Sequence, residues 1–146
     1  MKVCIIGCTG YLGSTISKYM ASNGHEIVGV CRKFPKENKD FKKIFKQIIE
    51  GDITEKKVHK KVLSASFSSV VYTISLNHKD SERDIHRSLS INLIPLIQLV
   101  NKMVKRKKIK RFLYFSTMQV YGDYSKNKLI KEENKKESKN IYALTH

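Results

Sequence analysis

Val3-Cys4-Ile5-Ile6-Gly7-Cys8-Thr9-Gly10-Tyr11-Leu12-Gly13 reads as an apolar strand, a glycine-rich turn and a helix that starts near Tyr11. Three glycines at this spacing let the backbone turn sharply, approach a pyrophosphate, and bring the helix close against the strand. The helix start adds free N–H groups and a partial positive charge, which together make an anion site. The stretch therefore predicts a dinucleotide held by Gly7, Thr9, Gly10, Tyr11, Leu12 and Gly13. A glycine trio is weak evidence by itself. The elements around it carry the rest.

Apolar spacing extends the first helix to about Ser22, with Leu12, Ile16, Tyr19 and Met20 on one face. Asn23-Gly24 stops it, and His25 to Cys31 reads as a second strand. Pro35 to Lys43 is a charged connection, and Ile44 to Glu50 a third strand ending at Gly51-Asp52. Thr54 is placed to cap a short helix to about Ala65, with Glu55 in its first turn. Ser69 to Ser75 is a fourth strand and Arg111 to Thr117 a fifth. Between them a long helix spans Ser81 to Lys107, which Pro95 should kink or break. Asp123 to Asn140 is polar and lysine-rich, and reads as a surface loop.

Strands alternating with helices predict an α/β fold, a doubly wound parallel sheet covered on both faces. Right-handed crossovers and a phosphate turn after the first strand give the order 3-2-1-4-5. Ligands belong at the carboxyl ends of the first and fourth strands, where that order reverses. Gly7 to Gly13, Cys31-Arg32, Asp52-Ile53, Ile74-Ser75 and Ser116-Thr117 all fall on this edge.

The 146 residues suit one domain, and no apolar run approaches the length of a membrane span. The N-terminus lacks signal-peptide character, since one lysine and a short apolar run lead straight into the turn. Cys4, Cys8 and Cys31 form no metal-ligand or redox spacing, so reduced thiols and a cytoplasmic setting are expected. The formal charge is +16, but only five of the 29 basic residues are arginine. Nucleic-acid surfaces favour arginine for bidentate and stacking contacts, so the lysines read as solvated faces. The densest cluster, Lys102 to Arg111, stands where a helix ends, and lysine is favourable there. His25, His59, His78 and His86 have no paired metal spacing and are assigned to the surface, with no metal expected.

Five landmarks stand in order: Gly7-x-Thr9-Gly10-x-x-Gly13, Gly51-Asp52-Ile53, Asn92, Ser116-Thr117-x-x-Val120-Tyr121-Gly122, and Tyr142 with His146 four residues on. Asn92 precedes Thr117 by 25 residues, and Thr117 precedes Tyr142 by 25. Over its whole length the chain resembles the N-terminal part of an extended short-chain dehydrogenase/reductase, the NAD-dependent epimerase/dehydratase family that acts on nucleotide sugars. The resemblance implies a Rossmann-like domain, incomplete at its C-terminus, that lacks the last strands and the substrate domain.

Family members selective for NAD end the second strand on an acidic residue that bonds the adenosine ribose. Here Cys31 is followed by Arg32 and Lys33, two cations able to receive a 2′-phosphate, so NADP is preferred over NAD. Asp52 resembles the residue that accepts from the adenine amino group, although a turn carboxylate is the alternative. Ile53, Ile74 and Ser75 complete the expected cofactor lining. Thr117 matches the hydroxyl that bonds the substrate oxygen, and Tyr142 the tyrosine that exchanges a proton with a sugar hydroxyl during hydride transfer. Tyrosine titrates near pH 10 and needs a cation close by to act as a base. The family places a lysine one turn on, where this chain has His146, which is shorter and mostly neutral at pH 7. Asn92 matches a structural residue, and Tyr121 a residue on the nicotinamide side.

The expected partners are a nucleotide sugar and a second copy bound through the long helix. Met118-Gln119 lacks an acidic pair, so an epimerase or reductase is preferred over a dehydratase. Because the family continues past the position of His146, the 146 residues are expected to bind a dinucleotide without turning over a sugar. A non-catalytic dinucleotide-binding module or a truncated remnant is the alternative.

Overall fold

A computed structural model describes residues 1–105, 109–122 and 129–146. Strands β1 (Lys2–Ile6), β2 (Glu26–Cys31), β3 (Phe45–Glu50), β4 (Ser69–Tyr72) and β5 (Arg111–Tyr114) form one parallel sheet in the order β3-β2-β1-β4-β5. This is the predicted order. Central β1 pairs with both β2 and β4, with Ile5 opposite Gly29 and Val71. Alternate side chains of β1 enter different cores, as the strand period requires. Val3 and Ile5 pack with Ile27, Phe34, Phe41 and Phe45, beneath α1 (Tyr11–Ser22) and α2 (Lys39–Lys43). Cys4 and Ile6 pack with Val28, Val58, Tyr72 and Leu99, beneath α3 (Lys56–Ser64) and α6 (Ile94–Lys105). No helix among the described residues is long and apolar enough to cross a membrane.

Several expectations are corrected. In α1 the buried residues are Gly13 and Ser17, with Ile16 and Met20 half-buried, whereas Leu12 and Tyr19 are exposed. The small pair draws the helix against the sheet and leaves Leu12 and Tyr19 off the contact line. The charged connection contains α2, whose Asn38 side chain accepts the Phe41 N–H at 3.0 Å. Thr54 does not cap α3. Its N–H and hydroxyl donate to Asp52 Oδ1 at 2.8 and 2.7 Å, and Glu55 holds the cap position. Strands β4 and β5 stop three residues early, leaving residues 73–75 and 115–117 at the ligand edge.

The long helix is four pieces. α4 (His78–Arg83) ends at extended Asp84, which caps α5 (Ile85–Ser88) by accepting the Arg87 N–H at 2.9 Å. A π-helical turn, Leu89–Leu93, leads into α6. Pro95 lies in the first turn of α6 and breaks nothing, since the wide turn before it accommodates a missing donor. Residues 106–108, within the predicted helix end and lysine cluster, and 123–128, within the predicted loop, lie outside the described residues. His59 is fully buried rather than at the surface, because Ile53 O lies 2.6 Å from its Nε2.

Candidate functional site

Each glycine of the turn has its own duty. Gly7 has φ +95°, a region that disfavours side chains, and a Cβ there would meet Thr73 Oγ1 at 2.6 Å. Gly10 is the N-cap of α1, and with no side chain at that position the N–H groups of the first turn are left open to an anion. The first turn carries no acidic residue. A Cβ on Gly13 would meet the Gly7 carbonyl carbon at 2.7 Å, so helix and turn touch backbone to backbone. Thr73 backs the turn by donating to Ile6 O at 2.9 Å. No motif marks Thr73 in the sequence, where its only signal is its place one residue before Ile74.

A cleft of about 390 Å³ opens over this turn. Gly7, Thr9 and Gly10 line it from the turn, Arg32, Asp52 and Ile53 from the ends of β2 and β3, and Ile74 and Ser75 from the end of β4. Tyr11 and Leu12 are exposed at the start of α1, and Lys33 is exposed beyond Arg32; these three and Gly13 are outside the lining. Asn77, the cap of α4, with Asp80 of α4 and Arg87 of α5, also lines the cleft, and no sequence motif marked them. Hydrogen bonds from Thr54, aided by Arg32, hold the Asp52 carboxyl below its ordinary range. Both bonds from Thr54 go to Asp52 Oδ1. A carboxylate also stands beside the end of β2. Glu50, opposite Cys31, accepts the Phe34 N–H at 3.3 Å.

Thr117, Tyr142 and His146 gather on the far side of β4. Thr117 caps a 3₁₀ turn, Met118–Tyr121, accepting the Gln119 N–H at 3.3 Å. Gln119 in turn accepts from Asn140 at 3.1 Å, and Asn140 caps α7 (Ile141–Leu144). Tyr142 lies on α7, its N–H bonded to Glu82 at 3.0 Å and its ring 4.2 Å from that of His146. Burial pushes His146 toward its neutral form, opposed by the Tyr142 carbonyl 2.7 Å from Nδ1. Tyr114 is pushed up to about 12 by burial and by neighbouring Tyr142. His146 Nε2 lies 2.6 Å from Ser75 Oγ, which ties this group to the cleft. Asn92 is fully buried, as its structural role required. It accepts the Leu76 N–H at 2.7 Å and donates to Thr145 at 3.0 Å and Ser88 at 3.2 Å.

A doubly wound sheet with a glycine turn at its crossover defines a dinucleotide-binding α/β domain. The chain matches the NAD dependent epimerase/dehydratase family over residues 3–146 and belongs to that family. Among solved structures it is similar to UDP-glucose 4-epimerase of Thermotoga maritima, with TM-score 0.86 and 21% identity over 99% of this chain and 47% of that one. The UDP-Glc/GlcNAc 4-epimerase of Campylobacter jejuni gives TM-score 0.86 at 20% identity, over 99% of this chain and 45% of that one. MoeE5, solved with UDP-glucose and NAD, gives TM-score 0.83 at 19% identity, over 99% and 45%. The chain thus spans less than half the length of these structures. Among curated proteins none matches it significantly.

Proposed function

We propose that this chain is the cofactor-binding part of a nucleotide-sugar epimerase, dehydratase or reductase, holding NADP in preference to NAD. The observation that carries the reading is one continuous edge. It runs from the open N-terminus of α1, through the cleft with Arg32, to Ser75 and its bond with His146 beside Tyr142. The glycine turn and uncapped helix fit a pyrophosphate, and Arg32 is the cation able to receive a 2′-phosphate. Glu50 opposes such a phosphate, although its carboxylate is engaged by the Phe34 N–H. A bound nicotinamide dinucleotide would supply the hydride acceptor and donor. Thr117 would then hold a substrate oxygen through its hydroxyl, and Tyr142 would exchange a proton at Oη with a sugar hydroxyl. Ile94, Ile97 and Val104 are exposed on α6, a short apolar stripe that supports pairing of two copies through this helix.

Calorimetric titration with NADP and NAD tests the cofactor reading. NADP binds more tightly, and Arg32→Ala weakens NADP about tenfold, roughly 1.4 kcal/mol, while sparing NAD. Tighter binding of NAD would overturn the preference. A second reading, a non-catalytic dinucleotide module, is favoured by His146, whose two ring nitrogens are already engaged by Ser75 and Tyr142. The coding sequence beyond codon 146 separates the two. A substrate domain there supports the enzyme, and a stop supports the module.

A further inference from the structure

The contact between Ser75 and His146 joins two residues 71 positions apart, and its hydrogens can be counted. His146 Nδ1 is 2.7 Å from the Tyr142 carbonyl, which can only accept, so Nδ1 donates. Ser75 Oγ is 2.6 Å from the Leu76 carbonyl, which also only accepts, so the serine gives its one hydrogen there. At 2.6 Å from His146 Nε2 the hydroxyl then has only lone pairs to offer, and Nε2 must donate as well. Both ring nitrogens carry hydrogens only in the imidazolium. With a neutral ring, the single serine hydrogen would have to serve Leu76 and His146 together, and one close pair would face each other without a hydrogen. Turning the ring over would set carbons against both partners and lose both bonds.

We infer that Ser75 is a positioning residue that holds His146 doubly protonated beside Tyr142, so that the imidazolium stands in for the missing lysine as the cation. This rests on the reading of Tyr142 as the acid/base. A cation beside a phenol favours its ionised form, and the two rings are 4.2 Å apart. The charge has few other supports. Tyr114 faces the ring from β5, with centroids 6.3 Å apart. From α4, His78 and Glu82 meet α7 at Tyr142 rather than at His146. From α5 the contact is Ser88 with Thr145, both uncharged, and Ser116 donates to the α-carboxylate of His146 itself, an anion on the same residue. The described residues include no ion pair to the imidazole. Burial works against the cation, so the serine acceptor decides the balance.

The test is imidazole nitrogen NMR across a pH titration of the ¹⁵N-labelled 146-residue protein and its Ser75→Ala and Ser75→Thr variants. The His146 α-carboxylate is common to all three and cancels. In the wild type both His146 nitrogens stay protonated to a pH about one unit higher than in Ser75→Ala, a tenfold difference in proton affinity. Ser75→Thr retains the hydroxyl and restores the wild-type titration. Ser75 is exposed, so its truncation leaves the cores intact. Identical titrations in wild type and Ser75→Ala would overturn the inference. So would a wild-type ring carrying a single proton throughout the range where the variant is protonated. The Tyr142 reading fails or stands by turnover in a chain that also carries a substrate domain, and its failure leaves this titration unmoved.

Discussion

Glycine spacing in the turn was legible because a sharp turn into a helix needs small residues at fixed places. What each one touches was not legible, since Thr73 stands just past β4, some 60 residues away. Gly13 shows the difference between space and conformation: its φ is ordinary, but a Cβ would meet the Gly7 backbone at 2.7 Å and Thr73 Oγ1 at 3.0 Å. Neither the turn nor the central strand can yield, so Gly13→Ala displaces α1. The expected cost is about 1–3 kcal/mol in urea denaturation, with at least a tenfold loss of dinucleotide affinity. Gly24→Ala is the contrast. Gly24 has φ +75° and nothing within 4 Å, so it loses about 1 kcal/mol from backbone strain and keeps its affinity.

At the scale of elements, the segment read as one helix breaks at Asp84 and widens at Leu89–Leu93. Asp84 offers its own side chain as a new cap, an alternative that helical periodicity does not reveal. The wide turn sets Asn92 in the interior, where its amide joins the loop after β4 to α7. Asn was a poor choice for a helix by propensity, and that misfit was the one sign of its role. Asn92→Ala strands the Leu76 N–H and removes the donor to Thr145 and Ser88. The expected destabilisation is about 2–3 kcal/mol by urea denaturation, with α7 amides losing hydrogen-exchange protection first.

In the whole molecule, two cores share one sheet, and His59 sits in the wall of one of them. Its Nε2 donates to the Ile53 carbonyl at 2.6 Å, while Nδ1 is buried with no hydrogen-bond partner among the described residues. Burial, with the charge of Lys102 adding to it, holds this imidazole below its ordinary value. The folded protein therefore keeps it neutral, whereas the unfolded chain takes up a proton below about pH 6.5. Its stabilising share is complete above that value and is lost as the pH falls through the lower folded value. Urea denaturation at about pH 7.5 and about pH 5.5 measures the loss, and His59→Gln shows a smaller one. The bond to Ile53 also makes this histidine a support of the cleft wall.

The sequence alone determined the sheet order, the crossover edge and the series of residues along it. Those depend on strand and helix periods, turn chemistry and motif spacing, all written locally in the chain. Only the tertiary structure decided which residues meet across that edge. It brought Glu50 beside Cys31, buried His59 under Ile53, and set Ser75 against His146. The physical reason is that protonation, burial and hydrogen-bond partnership depend on neighbours distant in sequence, and no local pattern encodes which neighbours those will be.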